Sequence, residues 1–389
     1  MVVTNQIITP RRNLLMKKIT VLALMLLGIF TLSACGDNPV EGPTYLELNP
    51  YQDINWKDDT HILANLHTHT THSDGADTPA EVVDQYAALG YGALAITDHD
   101  SHISGSRIAY PWTEFGDIIT TWENRDPAEV GMIDIAGSEF SHNHHIVGLF
   151  TEYMGEADEM EIELMQNVIA DDDDALMFVA HPGRYWKKTT DYEPSNTYSP
   201  QWYENLYETI PQDKLVGMEI FNTDNRYPDD RILWDKLLTE FMPERPIWAN
   251  ADDDYHDEEI GWSKTHHIMS DPNDKDEFRD TLLNGEFYAH YTRTAGGEAP
   301  KVDEIIINET LRTIEIKVDG DYERVKWYSG YDEENNTSNL VHIGETFEYA
   351  NFEGGYVRAE IINDEGLFTH AETVLQPFGF VQREEETSK

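Results

Sequence analysis

From His61 to about Tyr291 the chain alternates between short apolar runs and polar stretches, and most of the apolar runs end in a histidine or a carboxylate. The runs are ILANLH (62–67), ALAITDH (93–99), MIDIAGSEF (132–140), HIVGLF (145–150), ALMFVAH (175–181), LVGMEIF (215–221) and PIWANAD (246–252). Helical patterns separate several of them. The clearest starts at Thr78, with Pro79 at the first helical position and Glu81 completing a capping box. Val82, Val83, Tyr86 and Ala87 follow a 3.6-residue period, and Gly90 can end the helix. Further helices are expected at 157–170, 230–241 and 275–284. Strands alternating with helices predict an α/β fold with a parallel sheet or barrel. In a barrel the C-terminal strand ends carry the loops that build an active site. The placement of the histidines, at run after run, is therefore the informative feature.

The texture changes near Pro300. KVDEIIIN, LRTIEIKV, RVKWYSG, TFEYANF and YVRAEIIND read as short alternating strands, which predicts a small all-β, sandwich-like module at 299–380 and a charged tail at 381–389. The N-terminus reads differently again. Two lysines precede an apolar run from Ile19 to Leu32, a secretory-signal layout too short for a confident membrane span. It ends in Leu32-Ser33-Ala34-Cys35, which resembles a bacterial lipobox. The expectation is a signal at 1–35, lipidation of Cys35 and a Gly/Pro/Asn/Asp-rich tether at 36–60. That places the protein on the cell envelope, touching membrane only through its lipid anchor.

Cys35 is the sole cysteine, so a disulfide within the chain and a thiolate metal site in the folded body are excluded. Any metal must be held by His, Asp and Glu. The formal net charge is −47, from 74 acidic and 27 basic residues. Long nucleic acids bind basic grooves that release counterions, so this surface argues against a processive nuclease and for small diffusible substrates.

The chemistry-bearing residues fall in order. His67 and His69 are two apart on a strand, so they share a face and can address one ion. Asp74 follows in Ser73-Asp74-Gly75, then His99 in Thr97-Asp98-His99-Asp100, Glu139 in Gly137-Ser138-Glu139, and His145 in His144-His145-Ile146-Val147-Gly148. His181 precedes Pro182, and Asp254 and His256 close the series. Alternatives stand beside several of these. His72 competes with Asp74, His142 and His144 with His145, and Asp252 and Asp253 with Asp254. Asp98 and Asp100 could orient ligand imidazoles. Glu219 faces the pocket or supports a strand end. Asp171–Asp174 reads as a solvated loop. Imidazole with carboxylate suits Zn, Mn or Fe. No nucleophile elbow is present.

Six such elements, HxHTxxSDG, TDHD, GxE, HIVG, AHP and DDxH, resemble the PHP (polymerase and histidinol phosphatase) superfamily over roughly residues 60–295. The resemblance implies a distorted (βα)7 barrel at 61–298 holding two or three divalent ions. It also implies a ligand arrangement. His67, His69 and Asp254 would hold a first ion, with Glu139 bridging to a second completed by His145 and His181. Asp74, His99 and His256 would hold a third. The expected reaction is hydrolysis of phosphate esters on small molecules by a metal-activated hydroxide, with Glu139 and Arg184 in catalytic roles. Arg184 in His181-Pro182-Gly183-Arg184 is expected to grip the substrate phosphate, with Arg293 as a further candidate. Two other readings stand. One is 5′–3′ exonuclease or nucleoside 3′,5′-bisphosphate phosphatase action on short nucleic acids. The other is a non-catalytic metal-binding or adhesion lipoprotein.

Overall fold

Thr78 opens the first helix as its sequence requires. Its hydroxyl accepts from the Glu81 N–H, and the Glu81 carboxylate accepts from the Thr78 N–H at 2.9 Å. This helix, α1 (Pro79–Ala88), buries Val82, Val83 and Tyr86 and ends at Leu89, before Gly90 in the left-handed region. Later helices are α2 (Glu161–Asp171), the single turn α3 (Gly183–Trp186), α4 (Pro200–Thr209), α5 (Asp230–Phe241) and α6 (Lys275–Asn284). The computed structural model describes residues 44–100, 125, 127–153, 155, 159–187, 197–257, 260–294, 297–364 and 370–383. Cys35, the signal read at 1–35, the first part of the tether and the end of the charged tail lie outside the described residues. Among the described residues no helix is long and apolar enough to cross a membrane.

The strands form mixed sheets. The first nine are β1 (Thr44–Leu48), β2 (Thr60–Asn65), β3 (Tyr91–Ala95), β4 (Ile133–Ile135), β5 (Gly137–Phe140), β6 (Ile146–Leu149), β7 (Leu176–Val179), β8 (Leu215–Asn222) and β9 (Trp248–Asp252). They are followed by β10 (Ser263–Met269), β11 (Phe287–Thr292), β12 (Lys301–Asn308), β13 (Thr313–Asp319) and β14 (Arg324–Asp332). The last five are β15 (Thr337–Ile343), β16 (Thr346–Glu348), β17 (Tyr356–Asp364), β18 (His370–Leu375) and β19 (Phe378–Gln382). One sheet runs β5-β6-β7-β8-β9, antiparallel through β7 and parallel from β7 to β9. In the larger sheet β2, β3 and β4 are parallel, and β10 and β11 extend it antiparallel from β2. Between the two sheets lies a core of Ala64, Leu66, Ala93, Ala95, Ile135, Val147, Leu149, Phe178 and Trp248. A second core packs α2, α4 and α5 onto the outer face of β5–β9.

The two ladders are separate in the hydrogen-bond pattern. They are stitched by isolated parallel bridges, Thr68 to Tyr255 and His99 to Glu139. Both bridges lie where the histidine-bearing segments leave their strands. The run read as one strand at 132–140 is divided: β4 pairs with β3, whereas β5 pairs with β6. Gly137 makes that change of partner feasible, because a side chain there would run into the Gly148 carbonyl.

Two boundaries differ from the sequence reading. The tether expected at 36–60 is built into the fold from Thr44 onward. β1 pairs antiparallel with β19, Thr44 is buried, and Tyr51 donates to the Phe287 carbonyl at 3.0 Å. Its polar composition suggested a linker, but Tyr45, Leu46, Leu48 and Tyr51 supply apolar surface that the sheet buries. The same pairing puts Val381 and Gln382, read as tail, in β19. The module expected at 299–380 is likewise only partly separate: β12, β13 and β16 form their own three-stranded sheet. β18 pairs with β11, so β17, β18 and β14 continue the sheet of the α/β portion. Their core joins Trp327, Phe347 and Phe378 to Ile268, Tyr288 and Tyr51, and Val40–Lys389 is one compact unit.

Candidate metal centre

Glu139 is the hub of the site. Its Oε1 lies 2.7 Å from His145 Nδ1 and 3.2 Å from both His67 Nε2 and His181 Nε2. Its Oε2 lies 2.8 Å from His99 Nδ1 and 3.3 Å from His69 Nε2. A second carboxylate, Asp254, sits 3.2 Å from His67 and 3.1 Å from His69 through one oxygen. Asp74 reaches His99 at 3.4 Å and His256 at 3.3 Å. All nine sequence-predicted ligands, His67, His69, Asp74, His99, Glu139, His145, His181, Asp254 and His256, are thus brought together. The side chains of His67 and His69 are fully buried, whereas Asp74 and His256 are 33% and 37% exposed, so the Asp74–His99–His256 group stands at the mouth.

Local backbone explains the convergence. His67 and His69 follow β2, and His99 follows β3. His181 follows β7, with Asp254 and His256 just beyond β9. Glu139 lies within β5 rather than at a strand end, and its N–H donates to the Thr97 carbonyl at 3.1 Å. His181 and Asp254 have φ of 24° and 47°, a region that side chains rarely occupy and that clusters at functional sites. Gly75 is required because a Cβ would meet the His69 carbonyl carbon at 2.6 Å. That close approach is what carries Asp74 to the mouth.

The ligands are held from behind. Glu219, fully buried in β8, accepts from His67 Nδ1 at 2.7 Å and from the His181 N–H at 2.7 Å. Ser73 lies 3.3 Å from His69 Nδ1 and donates to Asp98 at 2.5 Å. Asp98 therefore acts on His69 only through Ser73, and mainly clamps Thr70 through its N–H and hydroxyl, both at 2.7 Å. Asp100 accepts the Ser141 N–H at 3.0 Å. These contacts fix tautomers and leave the other imidazole nitrogen for an ion.

The competing residues are placed elsewhere. His144 is turned away, 2.8 Å from the Tyr203 hydroxyl, and His142 is exposed. Asp252 accepts the Leu66 N–H, and Asp253 ties down Gly261, Trp262 and Ser263. His72 is outside the groups able to hold an ion among the described residues. Asp171 ends α2, and Asp172–Asp174 form an exposed turn.

The donor set fits divalent ions. His67 Nε2, His69 Nε2, His99 Nδ1, Glu139 Oε2 and Asp254 Oδ1 are buried without a hydrogen-bond partner, yet face one another within ion-binding range. Buried polar atoms left this way are costly. Burial raises the Glu139 carboxyl, but His145, His67 and His99 hold it well below the usual range. Burial lowers His67, while Asp254, Glu139 and Glu219 push it well above its ordinary value. His99 is likewise pushed up to about 10, burial opposing Glu139 and Asp74. The carboxylates thus favour positive charge at the centre, which divalent cations held there would supply.

A cavity of about 480 Å³ opens over this cluster. Arg184, the residue expected to grip a phosphate, lines it from α3, and its guanidinium lies 5.7 Å from the Tyr185 ring centroid. Arg226 and Tyr227, on the loop after β8, also line it and were not singled out from the sequence. Their only signal was an arginine shortly after a pocket-facing strand. Arg293 is not among the lining residues. Its N–H donates to the His370 carbonyl at 3.2 Å, where β11 pairs with β18.

A family model described as PHP domain matches residues 65–210, which contain His67 through His181 but not Asp254 and His256. The 5′-3′ exoribonuclease Rnm of Salmonella typhimurium is 40% identical over 85 residues, 19% of this chain and 29% of that protein. The error-prone DNA polymerase of Mycobacterium bovis is 50% identical over 48 residues, 12% of this chain and 4% of the polymerase. This chain therefore spans less than a third of either relative. Among solved structures, a two-domain protein from Bacteroides vulgatus containing a predicted PHP-like metal-dependent phosphoesterase is 14% identical. The alignment covers 86% of this chain and 89% of that one, with a TM-score of 0.46. The match to a PHP domain model over part of the chain and the His/Asp/Glu cluster together support a metal-dependent hydrolase.

Proposed function

We propose that this protein hydrolyses phosphate esters of small molecules in a metal-dependent reaction. The observation that carries the reading is Glu139: one buried carboxylate touching five imidazoles beneath a cavity whose wall bears Arg184 and Arg226. Divalent ions bound there would supply an activated water and neutralise phosphoryl oxygens. The protein supplies the rest. Arg184 keeps its charge, because burial is outweighed by Tyr185, Tyr227, Glu139 and Asp254. It can therefore grip a phosphoryl group held in the cavity that it lines with Glu139. Burial raises the Tyr227 phenol, against the pull of Arg184 and Arg226, so it stays protonated and available as a donor. Glu219, Ser73 and the Asp254 carbonyl hold ligand rings in one orientation.

The test is elemental analysis of the purified protein, followed by a phosphate-release screen with Mn, Zn or Fe added. Turnover that is lost on chelation and restored by metal is the expected result. A full metal complement with no turnover would select the non-catalytic reading instead.

The similarity to the exoribonuclease favours a second reading, release from the 5′ end of short RNA or from a nucleoside bisphosphate. The charge of −47 disfavours long polyanions, so the comparison to make is among a nucleoside bisphosphate, a 5′-phosphorylated oligoribonucleotide and p-nitrophenyl phosphate. The lipobox-like segment supports anchoring on Cys35 at the cell envelope, and mass spectrometry of the mature N-terminus with a Cys35→Ser control tests it.

A further inference from the structure

The wall of the cavity formed by Thr223, Arg226 and Tyr227 belongs to the loop that leaves β8. Thr223 and Asn225 have φ of 52° and 60°. Such residues hold this conformation only when their surroundings impose it. Three side chains do so. Ser263 donates to the Thr223 carbonyl at 2.8 Å, Tyr291 to the Asp224 carbonyl at 2.9 Å, and Arg231 to Asn225 Oδ1 at 3.0 Å. Phe221 lies between the Tyr291 ring, stacked at 5.5 Å, and the Arg231 guanidinium, 4.6 Å from its centroid.

Arg231 is the one of these three that carries charge. It stands in the first turn of α5, where a positive group opposes the helix dipole, so its placement does not serve the helix. The guanidinium instead turns back to the end of β8, over the Phe221 ring, 3.5 Å from the Ile220 carbonyl and 3.0 Å from Asn225. Tyr291, stacked on Phe221, pairs in register with Glu372 of β18.

We propose that Arg231 is a positioning residue, held over Phe221 and bonded to Asn225, that fixes the Arg226–Tyr227 wall for a phosphorylated substrate. Tyr291 and its ladder partner Glu372 back the same wall from the strands after Pro300, and the inference rests on the phosphoesterase reading only for the identity of the substrate.

The test compares metal-loaded wild type with Arg231→Gln, Arg231→Lys and Asn225→Ala. The readouts are backbone hydrogen exchange over 222–227, inorganic phosphate affinity by calorimetry, KM and kcat for p-nitrophenyl phosphate, and metal content. Arg231→Gln and Asn225→Ala should speed exchange in the loop, and each should weaken phosphate binding and raise KM about tenfold, as loss of one charge-assisted hydrogen bond would. Metal content should hold, kcat should change by less than about threefold, and Arg231→Lys should recover part of the KM effect. Exchange and phosphate affinity unchanged from wild type overturn the inference. So does an equal fall in kcat and metal content. Should Arg231→Gln fail to fold, Asn225→Ala decides, because it removes the acceptor without disturbing α5. A wild type that turns over no phosphoester would defeat the phosphoesterase reading, while exchange and phosphate binding would still report on Arg231.

Discussion

Glu219 stands directly behind His67, its Oε1 2.7 Å from the ring Nδ1, and both side chains are sealed from solvent. The contact commits His67 Nδ1 to donating, which leaves Nε2 facing Glu139 and Asp254. The other Glu219 oxygen takes the His181 N–H, so one carboxylate sets two ligands. A Glu219→Gln substitution keeps the size and loses the charge. Metal affinity should fall about 10- to 100-fold, the usual effect of losing such a supporting carboxylate. Competition with a chelator measures it, and wild-type affinity would reduce Glu219 to a packing role.

Glu139→Gln should abolish turnover, lowering kcat by roughly a thousandfold or more, while the fold survives. The amide would keep the shape at the centre of five imidazoles but not the charge they face. Circular dichroism with a phosphate-release assay checks both halves of the expectation. Persistent wild-type turnover would remove Glu139 from its central role.

Gly75→Ala should cost about 1–3 kcal/mol of stability through overpacking, because the new methyl would meet His69 backbone atoms at 2.6 Å. The loop must shift, and Asp74 with it. Metal stoichiometry should drop by the ion held at the mouth, while the inner ligands keep theirs. Elemental analysis beside a thermal melt decides, and an unchanged stoichiometry would contradict the assignment of Asp74.

Away from the site, β10 carries His267, buried against Phe278 and Phe287, with Nδ1 2.6 Å from Thr281 Oγ1. Burial pushes it down to about 3. The native state therefore refuses a proton that the unfolded chain accepts below about 6.5. Stability from this group is complete above 6.5 and is lost as pH falls toward 3, by about 1.4 kcal/mol per unit. Urea midpoints of wild type and His267→Leu, compared between pH 7 and 5, should differ in slope by close to one proton. Equal slopes would mean that His267 is hydrated in the native state.

Much of the site was legible because its chemistry is local to short motifs. His67 and His69 stand two apart just past β2, Asp74 lies in Ser73-Asp74-Gly75, and the DxH spacing singled out His256 and, from a run of three aspartates, Asp254. The helices 230–241 and 275–284 were readable from capping and period. The strand at Thr44–Leu48 was not, since five residues in a polar stretch carry too weak a pattern until β19 is beside them. Arg226 was missed because nothing in TDNRY says which way the loop turns.

Residue identity determined which atoms could bind metal, where the helices at 79–88, 230–241 and 275–284 would form, and that no thiolate would take part in the folded body. Tertiary structure decided that Glu139 would be the hub, that Asp98 would clamp a loop rather than an imidazole, and that β14, β17 and β18 would join the main sheet. The reason is physical. Side-chain period and capping act over a few residues, whereas β11 meeting β18, or Glu219 meeting His67 across 152 positions, depends on burial summed over the whole chain.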